Sequence, residues 1–449
     1  MAAPDRIEGS WGIEPVPERL RVLGALDMGL LWGNLGVSLL VVVAGAALVP
    51  ALSLPDALVA IALGCVLGNL MLAVAGAIGA DARVPGMALL RAPLGRRGSY
   101  LPTGINVLQG IGWTTFELLI IATAAAALSD ELFGFRAQWL WTIGFGVATL
   151  VLALLGPIGF VRRFVRRFAV WAVPFAVLYL TWWALDGADL GTLWDAPGEG
   201  GLSVWQGADF VVGITVSWIP YAADYTRFSR TRGGAFVGTG LGYLVPDAWL
   251  LALGVVLVLS RDLTDPAALP DAVVAGGLAA IVALFALLVT ETDEAFANAY
   301  SAAVSLQNLA PRAPQPLLIG LVTATATAGA LVVDLVSYQS FLFLLGSVFV
   351  PLFAVLLAHW LAAGRHYTAD DVFDAPVWRP GLVAAWIAGF VLYQWLNPTG
   401  PERWTDVVRR LEPPDWSIGA TLPSFLVSFA LASVVATVSR RSTEGAAPA

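Results

Sequence analysis

The sequence predicts an all-α polytopic membrane protein: 12 transmembrane helices, two inverted five-helix repeats with broken helices 1 and 6, and two C-terminal helices. Composition is the first reason. With 58% hydrophobic and 12% charged residues and a mean hydropathy of +0.78, an ordinary soluble domain is excluded. Apolar runs such as 37–49, 143–155 and 248–259 lack the alternation of a barrel strand, so helices must satisfy the backbone in hydrocarbon. The second reason is charge placement. Of 24 basic residues, all arginine, 19 fall in the N-terminal lead and in every second connection, and five lie opposite. Such an excess marks the cytoplasmic side, which puts both termini inside and makes the number of spans even. The third reason is a pair of matched helix interruptions.

Taken in order, the predicted spans are 23–48, 56–80, 101–128, 138–155, 169–185, 205–226, 236–260, 278–302, 316–333, 336–361, 381–396 and 419–438. A helix needs about 20 residues to cross, so little chain is left for a soluble domain. The domain reading is a cytoplasmic tail 1–22, one transporter domain 23–438 and a cytoplasmic tail 439–449. Within the domain, repeat one covers about 23–185, repeat two about 205–361 and the extra helices about 381–438. Gly276–Gly277 predicts a separate outer helix before span 8. The basic, Gly/Pro-rich loop 81–100 reads as a cytoplasmic connector, with a re-entrant or gating segment as the alternative. VRRFVRRF at 161–168 reads as a topology anchor that also suits anionic lipid. The residues after Arg441 read as a disordered tail. Cys65, alone, cannot form an intramolecular disulfide.

Span 1 is interrupted at Trp32-Gly33-Asn34-Leu35-Gly36 and span 6 at Gly213-Ile214-Thr215-Val216-Ser217-Trp218-Ile219-Pro220. Proline removes a backbone donor and glycine weakens the helix. Breaks of this kind free main-chain groups that hold ions and polar substrates near the midplane. The two breaks are five spans apart, the spacing of two five-helix repeats of opposite orientation. Either break alone would be unremarkable, since Gly and Pro are common in membrane helices.

Polar residues stand where they are costly. In span 3, Asn106, Gln109, Trp113 and Glu117 form one helical stripe. A flat ring can stack on Trp113 while its edge bonds to Gln109 or Glu117; a packed helix contact is the plainer reading. In span 8, Thr290, Glu291, Thr292, Asp293 and Glu294 follow a long apolar run. Thr290, Asp293, Glu294, Ala297 and Asn298 can share one face, and their oxygens suit a hard cation or a proton relay. Alternatively, span 8 ends early and the acids lie at its cytoplasmic end. Asp224 is expected to pair with Arg227 at the interface, with gating second, and Asp27, Asp247 and Asp334 receive no clear role.

These residues resemble the nucleobase:cation symporter-1 family of cytosine and purine permeases and hydantoin, allantoin and hydroxymethylpyrimidine carriers. The resemblance rests on IEPVPERLRVLGALD, RAPLGRRGSYLP with NVLQGIGW, SWIPYAADYTRFSR and TDEAFANAYSAAVSLQN. It implies 12 helices, the first 10 in two inverted repeats. It also implies that Trp113 stacks the substrate and that Glu117 binds its edge in a place often held by an amide. Thr215 stands where the family commonly has an aromatic residue, with Trp218 one turn away. The family's sodium site joins backbone near Gly33–Gly36 to span 8 hydroxyls, where this chain has Thr292, Asp293 and Glu294. That acidity favours proton coupling or a substrate with several N–H donors.

The expected function is therefore a secondary-active symporter importing a nucleobase-like heterocycle: cytosine, a purine or a related pyrimidine such as hydroxymethylpyrimidine. Transport is coupled to H⁺ or Na⁺ by alternating access in the plasma (inner) membrane. The expected substrate set is Trp113, Glu117, Gln109, Gly213, Thr215, Ser217, Trp218 and Asn298. The expected ion or proton set is Gly33, Asn34, Gly36, Thr290, Thr292, Asp293 and Glu294. No cofactor, no metal beyond Na⁺ and no nucleic acid is expected, and the partners are the heterocycle and the lipid bilayer around a monomer. An amino-acid symporter on the same scaffold and a transport-silent sensor are the alternatives. A membrane hydrolase or transferase has no support in His359 and His366, the two histidines.

Overall fold

The computed structural model describes residues 12–160, 170–261, 269–332, 338–412 and 417–444. The anchor 161–168, Asp334 and the tail beyond 444 lie outside the described residues. Regular structure among them is helical. The chain begins α1 (Ala25–Leu35), α2 (Leu39–Ala46), α3 (Leu54–Ala82), α4 (Gly86–Leu89), α5 (Arg91–Leu94), α6 (Tyr100–Phe133) and α7 (Gln138–Phe160). It continues α8 (Val170–Leu185), α9 (Leu190–Asp195), α10 (Val204–Val216), α11 (Ile219–Thr226), α12 (Arg232–Arg261), α13 (Leu269–Val274) and α14 (Leu278–Leu309). It ends α15 (Gln315–Ala330), α16 (Tyr338–Ala362), α17 (Ala369–Phe373), α18 (Pro380–Leu396), α19 (Glu402–Arg409) and α20 (Thr421–Glu444).

Boundaries follow local chemistry. Ser53 accepts from the Asp56 N–H to start α3, and Ser203 with Gln206 forms a capping box at α10. Gly134, at φ 65°, ends α6 in the left-handed region. Gly277, at φ 88°, separates α13 from α14, so a short helix does precede the eighth predicted span. α20 runs on to Glu444, past the arginines that ended the predicted last span.

Among the described residues, six helices are long and apolar enough to cross a membrane, and α1 with α2, bent by 59°, makes a seventh. The protein is thus a multi-pass membrane protein. Its outer faces show Leu70, Val147, Leu241 and Val434 more than half exposed, as lipid contact requires. The interior divides into groups. α1, α2, α3, α10, α11 and α12 pack together, α6, α7, α14 and α15 form a second group, and α16, α18 and α20 a third. Close backbone approach holds the first group: a Cβ on Gly36 would stand 2.8 Å from Pro246 Cγ, and one on Gly79 2.5 Å from Ala223 Cα.

The loop 81–100 differs from the expected connector. It folds into α4 and α5, with Val84, Ala88, Ala92 and Leu94 fully buried. Its Gly86 N–H donates to Asp224 Oδ1 at 2.9 Å, and buried Arg91 donates to Asn308 Oδ1 and its carbonyl. A loop rich in Gly and Pro packs here because Gly86 lets its backbone rest against Pro220.

Candidate transport site at two helix breaks

The first break falls at Gly36–Ser38. Gly36 closes α1, its N–H on the Trp32 carbonyl at 3.0 Å, and Ser38 opens α2 in an extended conformation. An N-cap hydroxyl satisfies one of the free N–H groups of a new helix, and Ser38 Oγ accepts from Leu40 N at 3.0 Å. The same hydroxyl donates to Glu291 Oε1 at 2.7 Å, which also accepts from Leu39 N at 2.9 Å. A carboxylate of α14 therefore sits on the positive end of α2.

The second break falls at Ser217–Trp218, between α10 and α11. Pro220 lies in the first turn of α11, where a missing N–H costs nothing. The freed Ser217 carbonyl accepts from Gln109 Nε2 of α6 at 2.8 Å. Gln109 is steadied by Asn106 Oδ1 at 3.2 Å, and Asn106 by Ser305 Oγ at 2.9 Å. Tyr221 OH donates to the Asn106 carbonyl.

Between the breaks, Glu117 is fully buried and close enough to the Glu291 and Glu294 carboxyls for their charges to act on one another. Ionised carboxylates only accept, so a bond between two of them needs a proton. Among the described residues, both Glu117 oxygens, both Asp293 oxygens, Glu291 Oε2 and Glu294 Oε1 have no donor. No arginine there forms an ion pair with any of the four acids. Trp113, one turn before Glu117, meets Phe341 of α16 edge-on at 5.3 Å.

The other expected residues are distributed as follows. Trp218 packs against Trp32, Tyr221 and Tyr243 with centroids 6.0–6.2 Å apart. Thr215 turns to α12, donating to Asp247 Oδ2 at 3.1 Å. Ser217 Oγ donates to Ile214 O, Thr292 Oγ1 to Leu288 O and Asn298 Nδ2 to Glu294 O, each within its own helix or turn. Gly213 lies against Leu342, and Gly33 and Gly36 against α12. Asn34 is buried with neither amide atom partnered among the described residues. Thr290 lies in α14, and its side chain is outside what is described.

Sequence reasoning missed Glu291, Ser38 and Phe341. The acid at the first break is Glu291, where Asp293 and Glu294 were expected. Successive helical residues turn by about 100°, so Glu291 shares a face with Glu294 while Asp293 points about 160° away. Anchoring the face on Thr290 hid this. A Ser two residues after the break, before LLVV, was the available signal. Asp224, expected to pair with Arg227, accepts from the Gly86 N–H through its carboxylate and from Arg227 Nε through its backbone carbonyl at 3.1 Å, while Arg227 also donates to the Gly12 carbonyl and Tyr300 OH.

Two interrupted helices are thus closed by polar side chains from the packed α6–α14 pair, and the comparisons with known proteins say which class of membrane protein carries them. The chain belongs to the permease family for cytosine/purines, uracil, thiamine and allantoin, whose sequence model matches residues 15–419; this is the family that the sequence resembled. It is 23% identical over 384 residues to a hydantoin permease of Microbacterium maritypicum, covering 79% of this chain and 76% of that one. It is 25% identical to the allantoin permease of Bacillus subtilis, covering 68% of each. Among solved structures, Mhp1, a nucleobase-cation-symport-1 family transporter in a closed conformation with bromovinylhydantoin bound, aligns with a TM-score of 0.74. That alignment has 19% identity and covers 97% of this chain and 96% of Mhp1. The fold is thus that of Mhp1.

Proposed function

We propose that the protein is a secondary-active importer of a nucleobase-like heterocycle, coupled to H⁺ or Na⁺ by alternating access. The observation that carries this is Glu291: it closes the first break from α14 and faces Glu117, one turn from Trp113. One locus therefore joins an aromatic plate, a hydrogen-bond acceptor and a carboxyl group at a helix break. Trp113 stacks the ring and Glu117 accepts from its N–H edge, with Gln109 holding the second break in register. Glu291, Asp293 and Glu294 balance the coupling cation or proton. Acceptors without donors favour a substrate rich in N–H groups.

Twelve crossings in two inverted repeats, with both termini cytoplasmic, are part of this reading. The helix groups support it. Predicted spans 1, 2, 6 and 7 gather in one group and spans 3, 4, 8 and 9 in the other, so each falls with its counterpart five places on. A monomer contains the whole site. The amino-acid alternative is disfavoured because Glu291 already occupies the Leu39 N–H and Ser38 the Leu40 N–H, where a substrate carboxylate would bind.

The test is uptake of labelled cytosine, purines, hydroxymethylpyrimidine, uracil, allantoin and hydantoin into proteoliposomes under imposed Na⁺ or pH gradients. Gradient-driven accumulation of at least one is expected. Movement of none, with protein correctly inserted, overturns the reading.

A further inference from the structure

We infer that Asp247 is a proton-binding site of the transport cycle, separate from the heterocycle site; this rests on the reading of the protein as an ion-coupled transporter. Asp247 follows Pro246 in α12 and is fully buried where α12 packs on α3, with α10 reaching it through Thr215. Its Oδ2 accepts from Thr215 Oγ1 of α10 at 3.1 Å, from Asn69 Nδ2 of α3 at 3.4 Å and from Cys65 Sγ of α3 at 3.5 Å. All three donors are neutral. Its Oδ1 and the amide oxygen of Asn69 have no partner among the described residues. Asp247 Oδ1 is thus a buried carboxyl oxygen without a donor among the described residues, and it is the atom that takes the proton.

The groups around Asp247 point the same way. From α3 they are Cys65 and Asn69, and from α10 Thr215. From α12 itself it is Tyr243, one turn earlier. From α14, Glu294 lies within electrostatic range of Asp247, and α1 presents Gly36 against Pro246. The α12 arginines, Arg232 and Arg261, stand at its two ends. A lone carboxylate in hydrocarbon with neutral partners is costly, and protonation removes that cost. Thr215 lies in the last turn of α10, the carbonyl end of that helix, which repels negative charge.

The position also connects the proton to the moving part. Thr215 is two residues from Ser217, whose carbonyl is held by Gln109, and its own carbonyl accepts from Trp218 N at 3.1 Å. Gain or loss of the proton changes what the Thr215 hydroxyl bonds to, directly beside the second break. The proton leaves to and arrives from water; no other bond changes.

The experiment has two arms on the full-length protein. In the first, infrared spectra of the wild type and Asp247→Asn are subtracted across a pH series in H₂O and D₂O. A deuterium-sensitive protonated-carboxyl band that titrates with pH and is missing from the variant is expected. Its absence from the difference spectrum overturns the proposal. Should Asp247→Asn not fold, Thr215→Val removes one donor and must shift that band; an unshifted band overturns it equally. In the second arm, labelled hydantoin, allantoin and cytosine are followed in proteoliposomes. Accumulation driven by an acid-outside pH gradient should fall at least about tenfold in Asp247→Asn, and counterflow far less. Equal losses, or unchanged accumulation, overturn the proton site. Wild-type failure in counterflow of all probes would overturn the transporter reading instead, and the infrared arm would still decide Asp247.

Discussion

The two helix breaks present opposite chemistry and are closed in opposite ways. At the first, the exposed groups are N–H donors at the start of α2, and an acid from α14 accepts from them. At the second, the exposed group is the Ser217 carbonyl, and an amide from α6 donates to it. Both closures come from the α6–α14 pair and reach across to the group that holds α1 and α10. A movement of one helix group against the other must therefore stretch both bonds together. The carboxyl closure should matter more than the amide one, because Glu291 Oε1 accepts two bonds, from Ser38 Oγ and Leu39 N, where the Ser217 carbonyl takes one from Gln109.

Glu291→Ala tests the larger side of this difference. It strands the Ser38 hydroxyl and the Leu39 N–H in the interior, at about 1 to 3 kcal/mol for a buried group left without its partner. Uptake should fall by about ten- to a hundredfold, together with the thermal midpoint in detergent. Glu291→Gln keeps an acceptor and should recover part of both. Equal behaviour of Ala and Gln would mean that the cap contributes nothing.

Next come the acids between the breaks. Glu117→Gln replaces an acceptor with a group that also donates, so preference among ring substrates should change by about tenfold, read as a ratio of kcat/KM values. Asp293→Asn, on the other side of α14, should alter ion dependence and leave that ratio alone. If Glu117→Gln moves ion dependence and Asp293→Asn moves preference, the roles are reversed and the site must be redrawn.

Helix positions were legible in the sequence because hydrophobic runs of spanning length are dense signals. Predicted span 2 at 56–80 and α3 at Leu54–Ala82 differ by two residues at each end. The breaks were legible for the same reason, as Gly36 and Pro220 are local marks. Contacts between the breaks and distant helices were not. Nothing near Glu291 announces Ser38, 253 residues away, and nothing near Gln109 announces the Ser217 carbonyl. The amide was read as a substrate ligand, since a polar residue in a span shows only that it needs a partner. The burial of 81–100 was hidden likewise, because a Gly/Pro-rich basic stretch looks the same whether it floats in water or packs on Pro220.

The amide closure is tested by Gln109→Met, which keeps length and removes the donor to Ser217. The loss should be about 1 to 3 kcal/mol for an unsatisfied buried carbonyl, smaller than for Glu291→Ala, and appear as a raised KM. A larger loss than that of Glu291→Ala would invert the ranking of the two breaks.

The smallest effects separate the two serines. Ser38 caps α2 and also bonds Glu291, so Ser38→Ala should cost about 1 kcal/mol, as for other N-caps. The Leu39 N–H still holds Glu291, so uptake should survive within a few-fold. Ser217 Oγ donates only to Ile214 O, one turn back. That carbonyl is near a helix end and keeps a second lone pair, so Ser217→Ala should cost less than Ser38→Ala. Thermal midpoints of the two variants in one detergent make the comparison directly. If Ser217→Ala proves the more damaging, its hydroxyl serves the second break in another conformation, with partners other than Ile214.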